Sequence, residues 1–216
     1  MTMERILTVN VVHEVFAGPF RDTAIDKRPV DGPVVVDELG LTGDIQCDRR
    51  WHGGPDKAVY ALASEDAASW SDDLGRELPP GIFGENLTTA DIDVSGALIG
   101  ERWEVGSDSD GVLVEVTMPR TPCENLSAHL GIPRFHQRFA ATGNTGALLK
   151  VLRPGSVRAG DRLKVVHRPD HQVTVRDLSA GASPAALRRM LASDVALAGS
   201  VQAKARRVIR RAEARG

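Results

Sequence analysis

The sequence is short of cysteine: Cys47 and Cys123 are the only two in 216 residues. Two thiols are too few for a disulfide framework, and they lack the paired spacing of a zinc or iron-sulfur site. A cysteine that matters here matters singly. Net charge is nearly absent as well, with 27 basic against 29 acidic side chains. No whole-molecule field therefore marks a nucleic-acid or membrane-surface binder, and any anion site must be local. No stretch of about 18 apolar residues occurs. Glu4 and Arg5 precede only a short β-branched stretch, without the charged, apolar and small-residue order of a signal peptide. The expected location is the cytoplasm. Neither a Gly-x-Gly-x-x-Gly dinucleotide fingerprint nor a four-cysteine cluster is found, so redox chemistry would draw on an external donor.

What is present reads as mostly β. Ile6 to Phe16 carries Val9, Val11, Val12 and Val15 ahead of Gly18 and Pro19, the pattern of a strand and its turn. Further strands are expected at Val34 to Val36, Ala58 to Leu62, Leu98 to Val105, Val112 to Met118, Leu148 to Leu152 and Arg162 to Val166. Gly106 to Gly111 is a hairpin-type connection, since Gly and Asp tolerate left-handed backbone. Ile99 to Val105 echoes Ala159 to Val165, each a Gly-acid-Arg turn leading into an alternating strand; this suits a closed β architecture, or is a chance likeness of two hairpin entries. Helices are expected at Ser64 to Leu74, with Ser64 as N-cap, and at about Pro133 to Ala140. After Val166 the composition changes to three short helix signals: Val173 to Ala180, Ala185 to Ala192 behind Ser183 and Pro184, and a basic helix from Ser200 through Arg211. The chain thus divides into a β domain over 1–167 and a helical appendage over 168–216. Arg206, Arg207, Arg210 and Arg211 suit either a solvated helix end or docking to an acidic partner.

Three blocks could carry chemistry. Gly43 to Ala58 packs Arg49, Arg50, His52, Lys57 and several glycines into sixteen residues, the donors and close backbone approach that a small anion needs; an ordinary charged turn is the other reading. It lacks the spacing of a nucleotide-triphosphate loop. His52 could donate to an anion or move protons near neutral pH, or serve as a structural hydrogen-bonder. In Phe83 to Thr88, Asn86 offers donors and an acceptor for a heterocycle edge, or belongs to a structural turn. The third block is Met118 to Leu126. Pro119 and Pro122 stiffen the backbone around Cys123 at a strand end, beside Arg120, which suits a single soft-metal ligand or a nucleophile, or else a buried apolar thiol. Cys47 has no such frame and reads as structural.

Six segments in order, Lys27 to Val30, Gly40 to Asp44, His52 to Val59, Phe83 to Leu87, Pro119 to Cys123 and Val151 to Asp161, resemble the MOSC-domain family, in particular its small bacterial members with a C-terminal three-helix appendage. The resemblance implies a MOSC-type β-barrel that binds a molybdenum cofactor of the molybdopterin type, with Cys123 as the ligand to molybdenum. It places Lys27, Arg49, Arg50, His52, Lys57, Asn86 and Arg120 around that cofactor, and makes Cys123 and His52 the catalytic candidates. It further implies reduction of N-hydroxylated compounds such as N-hydroxylated bases, driven by an electron-donor protein of the ferredoxin or flavin reductase type, with neither nucleic acid nor membrane as partner. Thr145 to Lys150 departs from the family in placing no aromatic near Leu148. Three rival readings stand beside this one: a module that carries the cofactor or sulfur without reducing a substrate, a metal-free thiol enzyme pairing Cys123 with His52, and a structural or interaction domain.

Overall fold

A computed structural model of the chain describes residues 3–47, 53–107 and 109–214. The first expected strand forms as β1 (Arg5–Ala17), and β2 (Asp22–Pro29) pairs with it as an antiparallel hairpin. The sequence gives little sign of β2, whose Asp22, Asp26, Lys27 and Arg28 look like a loop; it is extended because Ala24 and Ile25 are buried and β1 supplies hydrogen bonds. There follow β3 (Val34–Asp37), β4 (Gly40–Leu41), a 3-10 turn over Pro55–Lys57, β5 (Val59–Ala63), α1 (Ser64–Leu74), β6 (Leu87–Ala90), β7 (Arg102–Val105) and β8 (Val112–Pro119). Then come α2 (Glu124–Leu130), α3 (Phe135–Ala141), β9 (Ala147–Arg153), β10 (Gly155–Val157), β11 (Leu163–His167), α4 (Val175–Ala180), α5 (Pro184–Leu191) and α6 (Gly199–Glu213).

Eight strands make one sheet in the order β11-β7-β8-β9-β5-β6-β1-β2, and β10-β3-β4 make a second of three. Among the described residues only β5 and β6 pair in parallel; α1 and the turn after it form the crossover between them. The two echoing segments lie side by side, β7 on β11 in antiparallel register with Val105 opposite Leu163. The expected barrel is not formed as a continuous ladder. The ends of the large sheet approach each other, with one isolated bridge between Arg5 and Arg162 and a bond from Leu163 N to Glu4 O at 2.9 Å, but the paired strands stop short of closure. Leu98 to Glu101, expected as the first half of a strand, is instead a turn, because Gly100 adopts φ +89° and Glu101 N closes onto Leu98 O. Ser64 opens α1 from inside; Ala63 occupies the cap position, and the acids of the first turn face the positive helix end.

Two apolar clusters fill the molecule. The larger joins Ile6, Val9, Trp103, Val114 and Leu149 of the sheet to Val175, Leu178, Leu187, Met190, Val201 and Ala205 of α4 to α6. Two of the three C-terminal helices have a local reason to start. Thr174 and Asp177 form a reciprocal capping box on α4, and Ser183 caps α5 with Pro184 at its first position. The smaller cluster is aromatic. Trp70, Phe83, Phe135 and Phe139 stack under α1 and α3, with the Trp70 and Phe135 rings edge to face at 4.8 Å. Together the clusters clamp β8 and β2 on either side of one opening.

Candidate functional site

β8 ends at Pro119, and the backbone then runs through Arg120, Thr121 and Pro122 to Cys123, which is the N-cap residue of α2. The seven-residue helix α2 starts there and is closed by Gly131 in the left-handed region. Tertiary bonds hold this corner. Arg120 N donates to Gly146 O at 3.2 Å, and Thr145 Oγ1 donates to Arg120 O at 2.8 Å, so the entry to β9 fixes the arginine backbone. The Arg120 guanidinium lies 5.6 Å over the Tyr60 ring and also bonds to Thr121 O. Tyr60 itself is buried, spends its hydroxyl on Thr145 O at 2.8 Å, and has its phenol pKa driven upward by burial. It serves as a fixed phenol under a cation.

A cavity of about 280 Å³ opens at this corner. Lys27 of β2, Lys57 of the 3-10 turn, Asn86, Arg120 and Cys123 all line it, so five of the expected site residues converge. Arg49, Arg50 and His52 lie outside the described residues. Lys57 reaches the cavity because its turn is tied to the sheet: the Thr117 hydroxyl sits 2.6 Å from Asp56 O and 2.8 Å from Leu148 O. Lys27 is 9% exposed and forms an ion pair with Asp44 at 2.6 Å; burial lowers its pKa, and Asp44 opposes that shift. Asn86 Nδ2 donates to Asp44 Oδ2 at 2.8 Å and to Asn10 O at 3.3 Å, while Asn86 Oδ1 accepts from Tyr60 N at 3.1 Å. Both its donors are thus spent inside the protein. Only part of its carbonyl remains to meet a ligand, and its place in the cavity wall is that of a strut.

Three contributors are not evident in the sequence. Asp44 joins the network, accepting from Lys27, Asn86 and Val12 N, the last at 3.0 Å; it stands in a segment that resembles the family but carries no chemical signature of its own. Glu85 is buried beneath, accepting from Gly81 N at 2.6 Å, Phe83 N at 3.1 Å and Thr88 Oγ1 at 3.1 Å, with its pKa raised by burial against those bonds. Cys47 is the third: read as structural from the sequence, it lines the same cavity as Cys123. Its thiol is pushed up by burial and then by the carboxylates of Asp22 and Asp44, which keeps it protonated. Among the described residues no group of three or more His, Cys, Asp or Glu converges as a metal site.

The cavity at this strand end is thus walled by two lysines, an arginine and two thiols. The family model described as the MOSC domain matches residues 48–164, more than half of the chain. This chain belongs to the MOSC-domain family. It is similar to the protein YiiM of Escherichia coli, 34% identical over 163 residues that span 74% of this chain and 70% of that protein. A protein named reductase from Gibberella moniliformis is 33% identical over 154 residues, 68% of this chain but 26% of that one. The crystal structure of YiiM from Geobacillus stearothermophilus superposes with a TM-score of 0.76 at 25% identity, covering 95% of this chain and 99% of that one. No helix among the described residues is long and apolar enough to cross a membrane.

Proposed function

We propose that the cavity binds a molybdenum cofactor of the molybdopterin type, with the Cys123 thiolate as protein ligand to the metal, and that the protein reduces N-hydroxylated compounds such as N-hydroxylated bases. The observation that carries this reading is the convergence of Cys123 with Lys27, Lys57 and Arg120 on one cavity. The donor set fits the group: a soft thiolate suits molybdenum in a sulfur-rich ligand field, and the cations suit a terminal phosphate. When bound, the cofactor supplies two-electron reduction of the N–O bond. The chain's own residues hold and orient it. Asp44 fixes Lys27 and Asn86 in the wall, Tyr60 supports Arg120, and Pro119 and Pro122 restrict the backbone that presents Cys123. A sequence relative named reductase agrees with this class of chemistry. An electron-donor protein of the ferredoxin or flavin reductase type completes the reaction.

The test compares the two thiols that share the cavity. Cys123→Ala is expected to lower donor-coupled reduction of an N-hydroxylated base by about 100-fold or more, beyond the roughly 10- to 100-fold cost of losing a group that merely supports a metal ligand, while thermal unfolding stays near that of the unaltered protein. Cys47→Ala is expected to keep most of the activity, because its thiol is held protonated. Wild-type turnover in Cys123→Ala protein that retains molybdenum would refute the ligand assignment.

A further inference from the structure

Charge is unevenly spread along this nearly neutral chain. From Pro184 to the end there are eight basic and two acidic side chains; the preceding 183 residues hold 19 basic and 27 acidic ones. The cationic excess sits on α5 and α6, where Arg188, Arg189, Arg206, Arg207, Arg210 and Arg211 are all exposed. Arg188 pairs with Glu213 at 2.6 Å, which brings the end of α6 beside α5, and Arg206 and Arg210 share the stripe of α6 on which Glu213 lies. Arg189, Arg207, Arg210 and Arg211 have no ion-pair partner among the described residues. Fold stability does not account for this pattern. Arginines in a last helical turn complement the helix dipole, but Arg206 and Arg207 stand earlier, spaced four residues from Arg210 and Arg211, where like charges weaken a helix.

The surface is anchored to the cavity. In the first turn of α6, Ser200 Oγ lies 3.9 Å from Met118 Sδ, and Met118 lines the cavity beside Arg120. Lys204 bonds to Leu178 O and fastens the middle of α6 to α4. A fifteen-residue helix spans about 22 Å, so a protein lying along α6 is within that distance of the cavity wall.

Resting on the reductase reading, we infer that the arginine face of α5 and α6 docks the acidic surface of the protein that delivers the electrons. Charge complementarity picks out this occupant. A nucleic-acid strand would run off the patch onto the acidic remainder of the molecule, and residues 171–216 hold no Phe, Trp or Tyr on which bases could stack. A compact acidic protein meets the patch alone, steered by the same field that the rest of the chain lacks.

The test uses the full chain with a purified acidic flavodoxin as probe and a 20-base-pair DNA duplex as competitor class, followed by titration calorimetry at low and at physiological salt. Three proteins are compared: the unaltered chain, a variant with Arg206, Arg207 and Arg210 each changed to Gln, and one with the same three changed to Lys. The expected result is salt-sensitive flavodoxin binding that the Gln variant weakens by about tenfold or more and the Lys variant largely retains. In coupled turnover the Gln variant should raise the KM for flavodoxin and leave that for the N-hydroxylated substrate unchanged. Equal flavodoxin binding by the unaltered and Gln proteins overturns the inference, as does DNA binding tighter than flavodoxin binding. Binding with the expected charge dependence but without N-hydroxy reduction would instead refute the reductase reading and leave the docking surface standing.

Discussion

Asp44 shows what one carboxylate does at this site. It is 4% exposed and faces Lys27 at 2.6 Å, while also accepting from Asn86 and from Val12 N. Asp44→Ala leaves a buried ammonium and two N–H groups without acceptors, and removing one member of a buried pair costs about 3 to 5 kcal/mol. Chemical denaturation of that variant should show a loss in this range, and cofactor content should fall with it. Asp66, in the first turn of α1, behaves differently. Its carboxyl is pushed up to about 6 by burial and then by Asp93, and its Oδ2 has no hydrogen-bond partner. The folded protein therefore binds this proton more tightly than the unfolded chain between the ordinary value of 3.8 and about 6. Stability must fall as pH rises through that window, by about 1 to 2 kcal/mol after allowance for solvent screening. Denaturation midpoints taken from pH 4 to pH 7 should show the decline, and Asp66→Asn should flatten it.

Short elements hold the site, and each depends on backbone freedom at few points. Gly81 opens the turn that carries Glu85 and Asn86. It has φ +88°, and a Cβ there would lie 2.3 Å from Lys27 O on β2. A side chain would strain the backbone and push β2 off the turn together, so Gly81→Ala should destabilise by about 2 to 4 kcal/mol. Because the displaced strand carries Lys27, weakened cofactor retention should accompany the lower unfolding temperature. Unchanged retention at equal stability would show that β2 and this turn are not coupled. α2 is too short to be stable alone; Leu126 and Leu130 bury against the aromatic cluster, and that packing aligns the chain leaving Cys123.

At the scale of the molecule, the three C-terminal helices share an apolar core with the large sheet. A chain ending after His167 would uncover the part of β8 on which α4 packs and open the core that the sheet shares with α4 to α6. The full chain should then unfold in a single calorimetric transition, and the truncated chain should be much less stable or fail to fold. Two well-separated transitions would instead mark an independent helical domain.

Local chemistry fixed much of this in advance. Runs of Val and Ile placed β1, β3 and β8; Ser183 with Pro184 placed α5; and the prolines around Cys123 marked the strand end where the cavity opens. Such features act through neighbours in the chain, so they can be read without the fold. What only the tertiary structure decided involves partners far apart in sequence. The polar segment Asp22–Pro29 is a strand because β1 lies beside it, and Lys27 is buried because Asp44 is there to neutralise it. Cys47 joins Cys123 at one cavity although 76 positions separate them. The two large-sheet edges approach without completing a ladder, a matter of strand length and curvature that no local pattern encodes. Burial and long-range pairing set these features, and both arise only when the chain has closed on itself.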